Sequence, residues 1–458
     1  MSNRSKTNAV TKQQHARKRE LFLDSSVEKL TQKDIEDTVK LCLDNPTNIP
    51  AATIALLVLI TGSDFHSLIK RFDTSSSELL FEITNSPPIF PSGNHLEINS
   101  EKAFIAAPSE LKGLFALCLV ESITDKEINE FLRDGLGARF QRITLKRLQR
   151  HLAFEAYKYN ISRAELAFIT DTSLDKIPLN HYLRFDLTVV NRKHQLYQSA
   201  LFAKTPIEQV NVSAYSPKGK FGSNRVLKSE AVKGICVWYA NQLPSQLVTL
   251  NDLKHTYNVY TSYVITYLSL ETLHRPNKYP FGYLSNFDLI SPSVIIRDKG
   301  GTSARTMPLS DKAIIVIENY LEFLQSLLLP LRLLDNDMFR KVSEILDSKA
   351  PLFARLGKKD LFAYNSAEDV LFSDYELNIP NNWARHYSIN YLGSQGISFD
   401  DLQLFAGHDA SSITQHDIAS GFDRETIGKL SNLLSLHIFN DLGMPVSLYE
   451  MCNLRGSI

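Results

Sequence analysis

A chain of 458 residues is long enough for two to three domains with ample core. Its 50 basic residues are balanced by 50 acidic ones, which excludes a protein held to nucleic acid by global charge; any such surface must be a local patch. Cys42, Cys118, Cys236 and Cys452 show no C-x-x-C spacing, so neither a zinc site nor a disulfide framework is expected, and a reducing cytoplasm is the natural setting. The polar start, Met1 to Asn8, has no signal-peptide apolar core. The longest apolar run, around Ile54 to Ile60, is too short to span a bilayer, so no membrane partner is expected.

In chain order, residues 1–20 carry many Lys and Arg against the single Glu20, which reads as a basic tail, able either to touch a DNA backbone or merely to aid solubility. Residues 21–204 read as a helical N-terminal domain, with Pro-Ser-Gly turns near Pro87 to Asn94. Within it Arg139, Arg142, Lys146 and Arg150 recur at helical spacing and predict one basic face, suited to phosphate contacts that fix position without reading sequence. A solvated helix face accounts for the same pattern. Residues 205–232, with Pro206, Pro217, Gly219, Gly222 and several lysines, read as a basic linker.

Residues 233–440 read as a second domain. A Tyr- and Leu-rich helix runs to Leu270-Glu-Thr-Leu-His-Arg275, before Pro276. Val294 to Lys299 reads as a strand entering a Gly300-Gly301 turn, and Arg305 to Ser310 as the return strand. Ser310 would cap a long helix with Ala313, Ile317, Tyr320, Leu321 and Leu324 on one side. Residues 341–380 read as an inserted loop. Trp383, Tyr387 and Tyr391 predict one buried face of a helix ended at the latest by Gly396, with Arg385 near its start and off that face. Ser398 and Asp401 signal a second helix, with Phe399, Leu402 and Phe405 inward and Gly407 at its end. Residues 441–458 read as a C-terminal tail. The fold class expected is mainly α with a small antiparallel β-hairpin or sheet.

The order of these features resembles the catalytic domain of the tyrosine recombinases, the phage-integrase family. That family has an arginine closing a helix, a K-G-G-x-x-x-R-x-x-P-L hairpin, an H-x-x-R-H box and a later G-H pair. Here Arg275 stands at the first arginine, Lys299 at the hairpin lysine, Arg385-His386 at the R-H of the box, and Gly407-His408 at the G-H pair. The likeness covers roughly Asn251 to Leu434. It implies an integrase-like α+β domain preceded by a DNA-clasping helical domain, double-stranded DNA as partner, and no cofactor or metal. It also implies partner recombinase subunits or a homo-oligomer on the DNA, a cytoplasmic location associated with the nucleoid, and a role in DNA recombination or integration of mobile DNA. Arg275 and Arg385 would clamp the phosphate with forked donors, Lys299 would protonate the leaving oxygen, and His408 would donate to a non-bridging oxygen.

Two departures stand out. Asn382 replaces the first histidine of the box and cannot exchange a proton near neutral pH. No tyrosine lies between Asp409 and Ile418, where the family keeps its nucleophile; His416 occupies that stretch, and the later Tyr449 is the other candidate. The resemblance therefore implies either a divergent DNA breaking-rejoining enzyme or an inactive DNA-binding accessory protein. A fainter echo runs through the N-terminal half: Ile161-Ser-Arg-Ala-Glu-Leu166 matches Ile397-Ser-Phe-Asp-Asp-Leu402, and Leu59-Ile-Thr61-Gly parallels the segment around Thr272. In that alignment Asp64 replaces the first arginine, Asp171-Thr172 replaces the G-H pair, and His181-Tyr182 falls where a tyrosine is expected.

Overall fold

The structure is a computed structural model that describes residues 29–44, 49–84, 96, 102–119, 123–137, 142–172, 178–203, 219–223, 225–243, 249–275, 279–297, 304–356, 361–362, 379, 382–407 and 424–448. It is mainly helical with small antiparallel sheets, as composition and periodicity predict. The chain divides into two compact units. The first comprises Met1–Pro88 and Ile98–Ser223, the second Ile89–Glu97 and Asn224–Ile458.

Unit 1 is built around α2 (Ile49–Thr61), buried from Ala51 to Thr61. A helix apolar on every side must be covered on every side. Around it pack α1 (Gln32–Asp44), α4 (Leu111–Cys118), α5 (Asp125–Leu136) and α6 (Leu145–Glu155). After α2 the chain turns through Gly62 (φ +65) into α3 (Phe65–Arg71), capped by Asp64. A hairpin of β1 (Leu79–Glu82) and β2 (Phe104–Ala107) follows, in the register Leu79↔Ala107. Then come α7 (Arg163–Ile169), β3 (Arg184–Asp186), α8 (Leu187–Phe202) and β4 (Lys220–Gly222), the last paired with β3. The N-terminal domain is thus not purely helical, and residues 220–222 and 229–232 of the expected linker are a strand and the start of a helix. Short strands with one paired edge have too little alternation to stand out in a sequence.

Unit 2 is built around α10 (Leu250–Thr272), opened by the Thr249–Asp252 capping box and buried over nearly its whole length. Several of its polar side chains find internal partners: Tyr257 Oη donates to Ala354 O at 2.8 Å, and Thr261 and Tyr320 share a 2.9 Å bond. Packed on it or after it are α9 (Ser229–Asn241), α11 (Asp311–Leu334), α12 (Asn336–Leu346), α13 (Trp383–Ser394), α14 (Phe399–Phe405) and α15 (Arg424–Leu436). A three-stranded antiparallel sheet orders β5 (Phe287–Asp288), β6 (Ser293–Arg297) and β7 (Ala304–Pro308), with Arg297↔Ala304 as the outermost described pair. β8 (Arg355–Leu356) and β9 (Leu361–Phe362) form a further pair. Lys341 to Leu346 therefore belongs to a helix, not to an inserted loop.

The expected C-terminal tail is packed core as far as it is described. Leu442, Met444 and Leu448 are buried, Tyr263 Oη donates to Pro445 O, and Asn319 Nδ2 donates to Val446 O at 3.1 Å. Among the described residues, α11 is long and apolar enough to cross a membrane by length and composition. Its inner side, Ala313, Ile317, Tyr320, Phe323 and Leu324, is buried within unit 2.

Candidate functional site

The site grows from two helix ends in unit 2. α10 stops at Thr272 because Leu273 adopts the left-handed conformation (φ 54), three residues earlier than a helix closed by Arg275 would. α14 stops at Phe405, and Gly407 turns left-handed at φ +69, where glycine carries no steric cost. Each helix end leaves backbone carbonyls without intrahelical donors.

Two buried arginines take up those carbonyls. Arg385 is 0% exposed; its Nη1 donates to Leu273 O and its Nη2 to Ala406 O. Arg305, from β7 and 8% exposed, donates through Nη1 to Phe405 O and through Nη2 to Thr272 O at 3.3 Å. The planar fork of a guanidinium can span two acceptors, and the negative ends of two helix dipoles favour cations there. Arg385 is accordingly not off the buried face of α13, because every residue from Trp383 to Ile389 is buried. Its described hydrogen bonds run to backbone carbonyls, so in this conformation it builds the site.

Arg275 lies two residues beyond Leu273 and is half-buried. His274 beside it is buried, its ring 4.5 Å from that of Phe281. Lys299 lies outside the described residues, two positions after Arg297 at the end of β6. His408 also lies outside them, immediately after Gly407, as do His416 and Tyr449. Tyr449 directly follows the buried Leu448. Asn382 opens α13 in a left-handed conformation (φ 68) with no side-chain capping bond, and His386 is buried.

The predicted basic face in unit 1 is not one helix. Thr144 caps α6, accepting from the Arg147 amide at 3.4 Å, so Arg142 stands outside the helix and pairs with Asp34. A Thr followed by an apolar residue outweighs the helical spacing of the charges. Lys146 and Arg150 share α6, and Arg139 lies outside the described residues.

Sequence reasoning passed over two residues that matter. Arg305 sits inside the K-G-G-x-x-x-R-x-x-P-L pattern, and that position was the available signal. Glu271 precedes Thr272 and is fully buried; it accepts from Ser310 N at 2.8 Å and Ser310 Oγ at 2.9 Å, tying the end of α10 to the start of α11. Burial pushes its carboxyl up to about 7, against the lowering effect of these bonds. On another side of α13, Ser229, Tyr387, His437 and Asp441 form a chain of 3.1, 2.9 and 2.7 Å contacts, in which burial lowers the His437 pKa and raises that of Tyr387 to about 12. Among the described residues no cluster of His, Cys, Asp and Glu could hold a metal ion.

Arrayed this way, the second unit gathers the buried guanidiniums of Arg305 and Arg385 at the C-terminal ends of two helices, with Arg275 just beyond one end and Gly407 at the other. No family model, curated protein or solved structure matches the chain.

Proposed function

We propose that this chain is a DNA-binding protein of the tyrosine-recombinase type, acting in DNA recombination or integration of mobile DNA and gripping a backbone phosphate at unit 2. The observation that carries this reading is the double arginine bridge. Arg385 and Arg305 fasten the residues adjoining Arg275 to those adjoining His408, two positions far apart in sequence that the reading requires side by side. Arg275 then contacts the phosphate, Lys299 and His408 complete its donors from the hairpin turn and the segment after α14, and Arg385 positions both loops.

A specific observation favours an accessory form without strand cleavage. The guanidinium expected to clamp phosphate is spent on carbonyls, and the stretch after His408 has no tyrosine. A nicked duplex that traps covalent intermediates separates the two forms. Binding without a protein–DNA adduct is the accessory outcome; an adduct abolished by Tyr449→Phe or His416→Ala names a nucleophile and makes the chain an enzyme. Absence of duplex binding removes both.

A further inference from the structure

The two units share a common order of their main elements. In unit 1, α2, the β1–β2 hairpin, α4, α5, α6, α7 and α8 follow in the order that α10, the β6–β7 hairpin, α11, α12, α13, α14 and α15 follow in unit 2. The central helices end alike: Thr61 Oγ1 donates back to Leu57 O at 2.8 Å before left-handed Gly62, and Thr272 Oγ1 to Leu268 O at 2.6 Å before left-handed Leu273.

The helix pairs α6–α7 and α13–α14 match residue by residue at one constant separation. Asn160 and Gly396 are both left-handed, with φ 54 and φ 80. Ile161 N donates to Ala156 O, and Ile397 N to Leu392 O. Ser162 caps through the Glu165 amide at 3.2 Å, Ser398 through the Asp401 amide at 3.1 Å. Thr170 N and Ala406 N each donate back to a leucine carbonyl at 2.9 Å. Asp171 and Gly407 then turn left-handed, with φ 52 and φ 69. The last helix of each unit donates to the second strand of its hairpin, Gln198 Nε2 to Ala106 O at 2.8 Å and Ser431 Oγ to Pro308 O at 3.0 Å.

In both units a buried arginine reaches the carbonyl at the end of the second helix of the matched pair, from β7 in unit 2 and from the end of α3 in unit 1. Arg305 reaches Phe405 O, and Arg71, 3% exposed, reaches the equivalent Ile169 O at 3.4 Å through Nη2, Ser63 Oγ at 3.0 Å through Nη1 and Glu82 O at 2.7 Å through Nε. The difference lies at the left-handed residue. In unit 1 it is Asp171, whose side chain is 4% exposed; its Oδ2 stands 3.7 Å from Arg71 Nε and accepts from Thr84 Oγ1 at 2.6 Å, while Oδ1 accepts from Thr84 N at 3.0 Å. In unit 2 that position has no side chain.

We infer that unit 1 is a second copy of the unit 2 domain in which the Asp171 carboxylate fills, from within, an oxyanion site formed by the Thr84 donors beside the Arg71 guanidinium. This rests on geometry within unit 1 and stands or falls apart from the DNA reading. Removing the carboxylate leaves a buried guanidinium and two Thr84 donors facing a carboxylate-sized space, which a small oxyanion can enter.

The test is chemical rescue in the full chain. Asp171→Gly, which installs the unit 2 residue, and Asp171→Asn, which keeps an oxygen for Thr84, are followed by thermal unfolding in chloride, formate and inorganic phosphate at constant ionic strength. Both variants should unfold several degrees below the native chain in chloride and recover most of the difference, saturably, in formate or phosphate. Adding Arg71→Gln to Asp171→Asn should abolish the dependence on the anion. Variants that gain no more from formate or phosphate than the native chain does would overturn the inference. So would rescue that survives the loss of Arg71. If Asp171→Gly does not fold even in formate while Asp171→Asn folds without responding to either anion, the site is structural and the inference fails.

Discussion

Arg305 and Gly407 are fitted to each other so closely that a Cβ on residue 407 would lie 3.1 Å from Arg305 Nε and 3.2 Å from its Cδ. Gly407 also holds φ +69, which costs any other common residue about 1 kcal/mol. Gly407→Ala should therefore lose about 2 kcal/mol or more, because the arginine must retreat from the carbonyls of Phe405 and Thr272. Urea unfolding of the full chain measures it, and a loss well below about 1 kcal/mol would mean the arginine yields freely.

Arg385→Lys should cost roughly 3 kcal/mol despite keeping the charge. An ammonium cannot fork onto Leu273 O and Ala406 O together, and the abandoned carbonyl stays buried. Arg275 is half-buried and is not one of the two arginines that bridge the helix ends, so Arg275→Ala should cost clearly less than Arg385→Lys. Comparable losses in the two variants would contradict the division of labour between a positioning arginine and a ligand-facing one.

Glu271 makes unit 2 lose stability as pH rises. Its carboxyl is raised from 4.5 to about 7 by burial, so the folded chain holds a proton that the unfolded chain has released. That contribution is complete below pH 4.5 and disappears as pH climbs through 7, a swing of roughly 3 kcal/mol. Glu271→Gln should abolish the swing while keeping an oxygen for the Ser310 amide. An unchanged pH profile in that variant would refute the assignment.

Unit 1 should respond in the opposite direction. Burial pushes His151 and His194 down from 6.5 to about 4. His194 donates from Nε2 to Ile60 O at 2.9 Å and accepts at Nδ1 from Gln198 Nε2 at 3.1 Å, an arrangement only the neutral ring can make. The unfolded chain takes up these protons first, so stability falls as pH drops from about 6.5 towards 4. Native-state hydrogen exchange, corrected for intrinsic rates, should show unit 1 protection weakening at pH 5 while that of unit 2 strengthens. Parallel changes in both units would contradict it.

Much of this was legible in the sequence where a local rule acts alone. Ser310, Ser398 and Gly407 announced the helix ends they form, and the strands around Gly300-Gly301 paired as their pattern predicts. The burial of Arg385 was not legible, because periodicity assigns a charged residue to the surface and cannot foresee two helix C-termini meeting over it. The basic face of unit 1 failed for a related reason: spacing extends through Thr144, but the helix begins there. The repeat showed only as a faint echo at Ile161 and Ile397, since what the units share is capping and left-handed turns, which several residue types satisfy.

The most direct test of the central claim is the salt dependence of duplex binding by the native chain and Arg275→Ala. The native chain should bind duplex tightly and in a salt-sensitive way. The variant should bind more weakly, with the slope of log K against log salt reduced by about one phosphate's worth. An unchanged affinity and slope, with the variant folded, would contradict it.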